Sequence, residues 1–380
     1  MKITSKNIYL DNASSTRIDD RVLSEMLPYF SEYYGNASSN HDYGKSVNKA
    51  IENARLQIAK TINCNNQEII FTSGATESIN LALKGFTEFN VDKGNHIITV
   101  KTEHKAVLST CEYLETIGYE VTYLNVDKNG LINLNELKES IRNTTILIAI
   151  MYVNNETGVI QPIKQIGEIA RNNHVTFFCD ATQAVGKINI DVDNEYIDML
   201  CFSGHKMNGP KGIGVLYKKR GIDLTPLIHG GSQEKGLRSG TYNTPSIIGL
   251  GKACELTTQE MIEVNIQLKI LNNYLIECID KITSFNIVSN KDLRVSNIIN
   301  LIIPGLESDV FIGSLKNIAL SNGSACNSEL LEESHVLKAI KPDNFYRNNS
   351  LRISLDKFSS KEDIDLFCSF LKKHLKLKHA

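Results

Sequence analysis

The chain has 380 residues and a formal net charge of -2 at pH 7. A chain of this length can form two domains and bury a large core. The nearly neutral charge does not indicate a nucleic-acid partner. No apolar run approaches the length of a membrane span, and the first residues do not resemble a signal peptide. We therefore expect a cytoplasmic protein with neither a membrane segment nor a direct nucleic-acid partner.

Eight cysteines are scattered along the chain, and none forms a CxxC pair. A chain of this size does not need disulfide bonds, and the sequence predicts no metal site. Cys179 and Cys201 lie in apolar runs and are expected to be buried. Cys326 differs because it lies in a small, polar stretch over 321–328. A thiol there is expected to be accessible, as a reactive cysteine must be, although an incidental loop cysteine is the commoner case.

The predicted elements begin with a short extended segment over 1–15. Helical spacing of apolar residues follows at 21–34 and 47–62. From residue 68 onward, apolar strands alternate with small-residue turns and helices. The strands are expected at 69–72, 95–100, 119–124, 145–152, 175–180, 199–202 and from 213 onward. This alternation predicts an α/β protein with a mostly parallel seven-stranded sheet that is covered by helices on both faces.

The pattern changes after residue 251, where a long amphipathic helix is predicted over 254–282. Shorter strands are predicted at 295–303 and 351–355. We therefore expect a large domain over 15–255, and a smaller α+β domain formed by 1–14 together with 256–380. Because ligands in parallel α/β sheets bind at the carboxyl ends of the strands, the side chains that follow those strands are candidates for a functional site.

The stretch around Lys206 is the most informative part of the chain. The strand predicted at 199–202 is followed by Ser203, Gly204, His205 and Lys206, and a glycine-rich turn leads into the next strand. A lysine between two strands, close to a hydroxyl and an imidazole, is placed to form a Schiff base with a carbonyl cofactor such as pyridoxal phosphate. The alternative is a solvated loop lysine, and this stretch alone favours neither.

Four other strand ends carry polar side chains. Thr76 lies in the turn 73–78, where N–H groups at a helix N-terminus could bind a phosphate, although a capping box explains the turn equally well. Asp180 could pair with a pyridine nitrogen or cap a helix. His104 could stack on a ring or relay a proton, and Asn155 could reach a ring substituent. Local packing or a turn explains each of these last two better in isolation.

Two further features lie outside these strand ends. Arg352 alternates with apolar residues in a predicted strand, so it is either an edge-strand charge or a clamp for a substrate carboxylate. The glycine-rich loop 230–241 is unusually long, and could be a connector or could reach a second phosphate site across a dimer. No single motif decides between these alternatives. The strand-end residues, however, are all expected at one edge of one sheet.

Taken together, the motifs resemble those of cysteine desulfurases, in the branch typified by the bacterial iron–sulfur cluster enzymes. The matching motifs are TSGATES (72–78), KTEHKAV (101–107), NNETG (154–158), DATQ (180–183), SGHK (203–206), LRSGT (237–241) and SNGSAC (321–326). They occur in one order from residue 9 to about 372, with few insertions. The resemblance implies the fold of class V aminotransferases, which is the type I fold of pyridoxal-phosphate-dependent transferases, and a homodimer.

Carried over position by position, the resemblance implies a role for each candidate residue. Lys206 would bond pyridoxal phosphate, His104 would stack on its ring and Asp180 would pair with the ring nitrogen. The other implied cofactor-binding residues are Asn155 and Gln183 beside the ring, Ala75, Thr76, Ser203 and His205 around the phosphate, and Thr241 at the phosphate of the neighbouring subunit. Arg352, together with Asn155, would bind the L-cysteine substrate.

The resemblance also implies the reaction. The Cys326 thiolate would attack the sulfur of L-cysteine, which leaves a persulfide on Cys326 and releases L-alanine. The persulfide would later transfer its sulfur to an acceptor protein. Lys206 would remove the Cα proton, and His104 is the proposed proton shuttle.

The chain departs from the family pattern at two places. Asn322 and Asn327 replace a serine and a threonine, which should preserve the chemistry. Longer members carry a C-terminal extension that docks the cluster scaffold, whereas this sequence ends at Ala380. The acceptor is therefore left open among iron–sulfur cluster assembly, tRNA thiolation and DNA phosphorothioation. A lyase that uses Lys206 without Cys326, such as a selenocysteine lyase, and a catalytically silent binding subunit are the alternatives.

Overall fold

The computed structural model describes residues 7–322, 334–340 and 349–378. Its strands are β1 (Ile8–Tyr9), β2 (Ile69–Thr72), β3 (His96–Val100), β4 (Glu120–Leu124), β5 (Thr145–Ala149), β6 (Thr176–Asp180), β7 (Met199–Ser203), β8 (Gly214–Lys218), β9 (Asn286–Ile287), β10 (Ile298–Ile302), β11 (Ile318–Ala319) and β12 (Ser350–Ser354). Its helices are α1 (Asp20–Met26), α2 (Pro28–Ser31), α3 (Asp42–Thr61), α4 (Ala75–Asn80), α5 (Phe86–Phe89), α6 (Lys105–Thr116), α7 (Leu134–Ser140), α8 (Ile163–Asn172), α9 (Thr244–Asp280), α10 (Ser308–Ser314), α11 (His335–Ile340) and α12 (Lys361–Lys378). A π-helical turn, Leu81–Gly85, joins α4 to α5.

Seven strands form the central sheet in the order β2-β8-β7-β6-β5-β3-β4. Four neighbouring pairs are parallel, whereas β8 runs antiparallel to both β2 and β7. The connection over 204–213 is too short for the crossover that a parallel pair needs, so β8 must reverse direction. The predicted mostly parallel seven-stranded sheet is confirmed.

Helices cover both faces of this sheet. The inner strands β3, β5 and β7 are buried along their whole length, as expected of strands with helices on each side. Neighbouring residues of β3 point to opposite faces: Ile98 packs in the core that contains α3 and α8, and Ile97 packs in the core that contains α4 and α6. This arrangement leaves the carboxyl ends of the parallel strands on one edge of the sheet.

A second set of strands has its own core. The sheet β12-β10-β9 is antiparallel, and β1 pairs with β11 in parallel. Leu10, Leu301, Ile353 and Phe367 belong to this core, together with residues from the second half of α9. The first half of α9 packs in the core of the central sheet, so this helix joins the two parts of the fold.

Helix α9 begins at Thr244, well before the predicted start at 254. Its first turns are buried on nearly all sides, so they lack the one-sided apolar pattern by which a surface helix is found. Gly251 permits this burial, because a Cβ there would lie 2.7 Å from the Cα of Ala54 in α3. The helix predicted over 21–34 is instead two short helices, since Pro28 opens α2. Within the described part of the chain, no helix has both the length and the apolar character that crossing a membrane requires.

Candidate active site

One cavity of about 590 Å³ lies at the carboxyl edge of the central sheet. Its lining contains every candidate residue except Thr241 and Cys326. The candidate residues that line it are Ala75, Thr76, His104, Asn155, Asp180, Gln183, Ser203, His205, Lys206 and Arg352. Thr241 lies instead in two neighbouring pockets that it shares with Tyr242. Cys326 lies outside the described residues. The fold thus brings together side chains from five strand ends and from β12.

The turn after β2 is held rigidly against the sheet. Glu77 accepts a hydrogen bond from the Ser73 backbone N–H at 2.7 Å and a second one from Arg238 Nε at 2.8 Å. Gly214 of β8 passes so close that a Cβ there would lie 2.5 Å from the Cα of Gly74. The turn leads directly into α4, and the first turn of a helix leaves N–H groups without intrahelical partners. Because Ala75 and Thr76 line the cavity, this helix start is suited to an anion such as a phosphate.

His104 caps α6 and presents its ring to the cavity. Its Nδ1 accepts a hydrogen bond from the Ala106 backbone N–H at 3.1 Å, so the neutral ring carries its proton on Nε2. Burial lowers the pKa of His104, which outweighs the opposite effect of Asp180. A neutral imidazole with a free Nε2–H can stack on an aromatic ring and exchange a proton near neutral pH.

Asp180 ends β6 and is almost fully buried. Its Oδ1 accepts hydrogen bonds from the Thr182 backbone N–H at 2.9 Å and from the Cys201 thiol at 3.6 Å. These donors fix the orientation of the carboxylate at the edge of the cavity. A carboxylate held in this way can pair with a protonated ring nitrogen.

The amide of Gln183 has a fixed orientation. Its Nε2 donates to the Ala13 carbonyl at 2.8 Å, and its Oε1 accepts from Lys187 Nζ at 3.2 Å. Burial, and then the nearby Lys206, lower the pKa of Lys187 to about 7. Gln183 therefore connects the sheet edge to the N-terminal segment.

Lys206 lies in a 3-10 turn directly after β7. Its Nζ donates to the carbonyls of Ala13 and Ser14, at 2.7 Å each. Burial is the main cause that lowers the pKa of Lys206 to about 8, and the positive charge of Arg352 adds to it. About one tenth of such amines are neutral at pH 7, far more than for an ordinary lysine. A neutral amine in a cavity is the nucleophile that bonds a carbonyl group.

Arg352 of β12 lines the same cavity as Lys206, and both side chains contact Ser14. Its Nη2 donates to Asp11 Oδ1 at 2.7 Å and to Ser14 Oγ at 2.6 Å, and its Nη1 donates to the Asn155 carbonyl at 3.1 Å. Its Nε is buried and has no hydrogen-bond partner within the described ranges. This arginine retains hydrogen-bonding capacity for a bound carboxylate.

Several residues of the site have no counterpart among the sequence candidates. Ala13, Ser14 and Ser15 line the cavity, although the sequence indicates only a turn at 11–13. Glu103 and Glu156 are buried and directly adjoin His104 and Asn155 in the chain. Burial raises the pKa of Glu103 well above its ordinary value and the pKa of Glu156 to about 7. Glu103 precedes His104 and Glu156 follows Asn155, so a glutamate adjoins a candidate residue at each of two strand ends. This repeated pattern is the signal that would have identified the pair.

The donor set fits pyridoxal phosphate. The cavity combines an amine of lowered pKa, a carboxylate, an imidazole and a helix start flanked by hydroxyl groups. These are the groups needed, respectively, for a carbonyl, a ring nitrogen, a ring face and a phosphate. Arg352 lines the same cavity and, within the described residues, has an N–H group left over, which is suited to one more anion, the substrate carboxylate.

Comparison with known proteins agrees with this geometry. The sequence profile of the aminotransferase class-V family matches residues 8–367. Cysteine desulfurase IscS of Ehrlichia chaffeensis is 46% identical over 375 residues, which cover 96% of this chain and 91% of that protein.

Solved structures extend the similarity to the fold. A NifS-like protein matches with a TM-score of 0.92 and 36% identity, covering 98% of this chain and 100% of that one. A structure described as SspA in complex with cysteine matches with a TM-score of 0.81 and 40% identity, covering 93% and 100%. The chain belongs to the class V aminotransferases and, within them, to the cysteine desulfurase family.

Proposed function

We propose that this protein removes the sulfur of L-cysteine, releases L-alanine and carries the sulfur as a persulfide on Cys326. The observation that carries the proposal is Lys206, an amine with a pKa of about 8 in one cavity with His104 and Asp180. The match to SspA in complex with cysteine supports L-cysteine as the substrate. The motif SNGSAC at 321–326 supports Cys326 as the cysteine that carries the sulfur.

The lining of the cavity suggests how the cofactor and substrate are held. Pyridoxal phosphate supplies an electron sink for bond breaking at the substrate carbon atoms. Lys206 would bond its carbonyl, Asp180 would face its ring nitrogen and Arg352 would bind the substrate carboxylate. The other binding residues that we propose are His104, Asn155 and Gln183 at the ring, and Ala75, Thr76, Ser203 and His205 at the phosphate.

Two side chains would move protons. The neutral amine of Lys206 would take the Cα proton of L-cysteine, and its lowered pKa makes that form available near neutral pH. His104 has Nδ1 occupied by the Ala106 N–H, which leaves Nε2 to donate and recover a proton in the cavity.

The sulfur step needs no external oxidant or reductant. The Cys326 thiolate attacks the substrate sulfur, so that an S–S bond forms and the bond between Cβ and sulfur breaks. The electron pair of the broken bond stays with the substrate carbon, which takes up a proton and becomes the methyl group of L-alanine. L-Cysteine and a thiol thus give L-alanine and a persulfide, with all atoms and electrons balanced.

We further propose that 15–255 form a large domain, and that 1–14 with 256–380 form a smaller one. Leu256 still packs in the core of the central sheet and Leu268 packs in the second core, which supports a boundary within α9, close to the proposed one. A homodimer would cover exposed aromatic residues near Thr241, among them Tyr33 and Tyr34, and would place Thr241 at the neighbouring cofactor phosphate. The free state of all seven described cysteines supports a reducing, cytoplasmic location. The proposed partner that receives the sulfur is an acceptor protein.

The test is a product assay on cofactor-loaded protein. With L-cysteine and a reductant, we expect the wild type to release L-alanine and sulfide in equal amounts. Cys326→Ala should abolish both products and still bind the cofactor. Cys278→Ala, a free cysteine on α9, is the matched control and should retain full activity. Full activity of Cys326→Ala would show that Cys326 is not the sulfur carrier.

A further inference from the structure

Two buried glutamates contact the chain that follows the cysteine segment, which is 323–333 and contains Cys326. Glu156 comes directly after Asn155 and is 3% exposed. Its Oε2 accepts a hydrogen bond of 2.5 Å from the hydroxyl of Ser334. Ser334 Oγ in turn accepts from the Leu337 N–H at 3.0 Å, so it also caps α11. A single hydroxyl thus connects the loop that carries Asn155 to the start of α11.

A second contact joins the turn Ser334–His335, at the start of α11, to the loop of His104. The ring Nε2 of His335 lies 2.8 Å from the carbonyl oxygen of Glu103 and donates to it as Nε2–H. Glu103 precedes His104, and its own carboxylate accepts from the Met151 N–H at 2.5 Å. The turn Ser334–His335 is therefore attached to two of the loops that line the cavity.

These two loops are also fixed to each other. Asn154 Nδ2 donates to the Thr102 carbonyl at 2.9 Å, and Asn154 Oδ1 accepts from the backbone N–H groups of Glu156 and Thr157, at 2.9 Å each. Because all these groups are buried, their hydrogen bonds are costly to break. The turn Ser334–His335 thus rests on a rigid base.

The other end of the cysteine segment is attached elsewhere. Asn322 Nδ2 donates to Asp309 Oδ1 at 2.8 Å, and its carbonyl accepts from Ser350 Oγ at 3.1 Å. Both partners belong to the part of the fold around β10 and β12. Cys326 is four residues from Asn322 and eight residues from Ser334 in the sequence.

We propose that Glu156 is a positioning residue, which holds Ser334 so that the chain bearing Cys326 starts from a fixed point next to the loops of Asn155 and His104. This inference rests on the proposed function of Cys326. Glu156 does not line the cavity, so it acts on the sulfur step through Ser334 and not through contact with cofactor or substrate.

The test separates binding from the sulfur step. Glu156→Ala and Ser334→Ala each remove one side of the contact. Both variants should bind pyridoxal phosphate and L-cysteine as the wild type does, measured by absorbance titration. Persulfide formation on Cys326, followed by mass spectrometry in a single turnover, should be about tenfold slower, since small misplacements of a reacting group cost factors of this order or more.

Three controls make the result specific. Glu156→Gln retains an oxygen that can accept from Ser334, so it should restore a rate within about threefold of the wild type. The double variant Glu156→Ala/Ser334→Ala should be no slower than either single variant, because both remove the same contact. Glu195→Ala removes another glutamate that accepts from a side-chain hydroxyl, that of Tyr152 at 2.8 Å, and should leave the persulfide rate unchanged.

Each outcome decides the matter. An unchanged single-turnover rate in Ser334→Ala, or equal losses of cofactor binding and persulfide formation in both single variants, would overturn the positioning role. If Glu156→Ala fails to fold, Ser334→Ala and Glu156→Gln still answer the question. Absence of a persulfide on Cys326 in the wild type would overturn the proposed function itself, which is a distinct result.

Discussion

Two buried arginines near the site pair with carboxylates in different ways. Arg55 of α3 donates to both carboxylate oxygens of Glu234, at 2.9 and 2.7 Å, and to the Ile69 carbonyl at 2.7 Å. Its Nε reaches Glu52 at 3.1 Å, and its guanidinium lies 4.5 Å from the centre of the Phe71 ring. Every nitrogen of Arg55 is therefore used within the protein.

Arg352 is bound less completely. It reaches Asp11 through one nitrogen only, and its Nε has no partner within the residues that the structure describes. It also lines the cavity, which Arg55 does not. The comparison teaches that burial and an acidic partner do not identify a ligand-binding arginine. The number of N–H groups left over, and whether the side chain lines the cavity, separate a structural arginine from one that can bind a substrate.

The largest expected effect is on stability, and it concerns Arg55. Glu234 adopts a left-handed backbone conformation with a φ of 47° and is buried. Arg55→Met would leave the buried negative charge of Glu234 without its bidentate partner. We expect the free energy of unfolding to fall by about 3–5 kcal/mol, measured by urea denaturation. At temperatures where the variant stays folded, its KM for L-cysteine should be unchanged; a selective rise in KM would contradict the structural role.

Arg352→Gln should instead act on substrate binding. A hydrogen bond to a charged group contributes about 1.5–3 kcal/mol, so kcat/KM for L-cysteine should fall on the order of 100-fold. Cysteamine lacks the carboxylate, so its inhibition constant should change much less between wild type and variant. An equal loss for both ligands would show that Arg352 only supports the fold. Arg352→Lys should recover part of the loss, because it keeps the charge without the planar geometry.

The same arginine should shift a pH profile. Burial and the charge of Arg352 lower the pKa of Lys206 to about 8. Since only the neutral amine bonds a carbonyl, the rate at which cofactor-free protein takes up pyridoxal phosphate should rise with pH through a midpoint near pH 8 and level off at higher pH. Removing the charge in Arg352→Gln should raise the pKa of Lys206 and move this midpoint upward. Arg55→Met should leave the midpoint in place. Absorbance of the bound cofactor follows the rate.

The sequence was sufficient to predict one side of the cavity. His104, Asp180 and Lys206 each follow an apolar strand in a parallel sheet, and the geometry of such sheets places strand ends together. The order of strands needed more than pattern, because β8 lies between β2 and β7 although it comes last along the chain.

The opposite side of the cavity was not predictable from local pattern. Asp11 and Arg352 meet because β12 pairs with β10 and because Asp11 forms a bridge to Ser354. The bridge from Asp11 to Ser354 joins parts of the chain that lie more than 300 residues apart, so no spacing rule connects them. The complete hydrogen bonding of Arg55 was likewise not predictable from the sequence, because its partner Glu234 lies in an irregular turn that has no periodic pattern.

The smallest expected effect sharpens the comparison at Ser14. The hydroxyl of Ser14 donates to Asp11 Oδ1 at 2.9 Å and accepts from Arg352 Nη2 at 2.6 Å, so it orients the arginine although it carries no charge itself. Ser14→Ala removes both hydrogen bonds and keeps the backbone carbonyl that Lys206 contacts. We expect kcat/KM for L-cysteine to fall by a factor of only about 3–10, or roughly 1 kcal/mol, because the charge of Arg352 stays available to the substrate. The pH midpoint for cofactor uptake should not move, since neither the charge of Arg352 nor the contacts of Lys206 change.

Ser15→Ala is the matched control, because Ser15 contacts His205 instead of the arginine. A midpoint that shifts in Ser14→Ala would mean that the position of the guanidinium, and not only its presence, sets the pKa of Lys206.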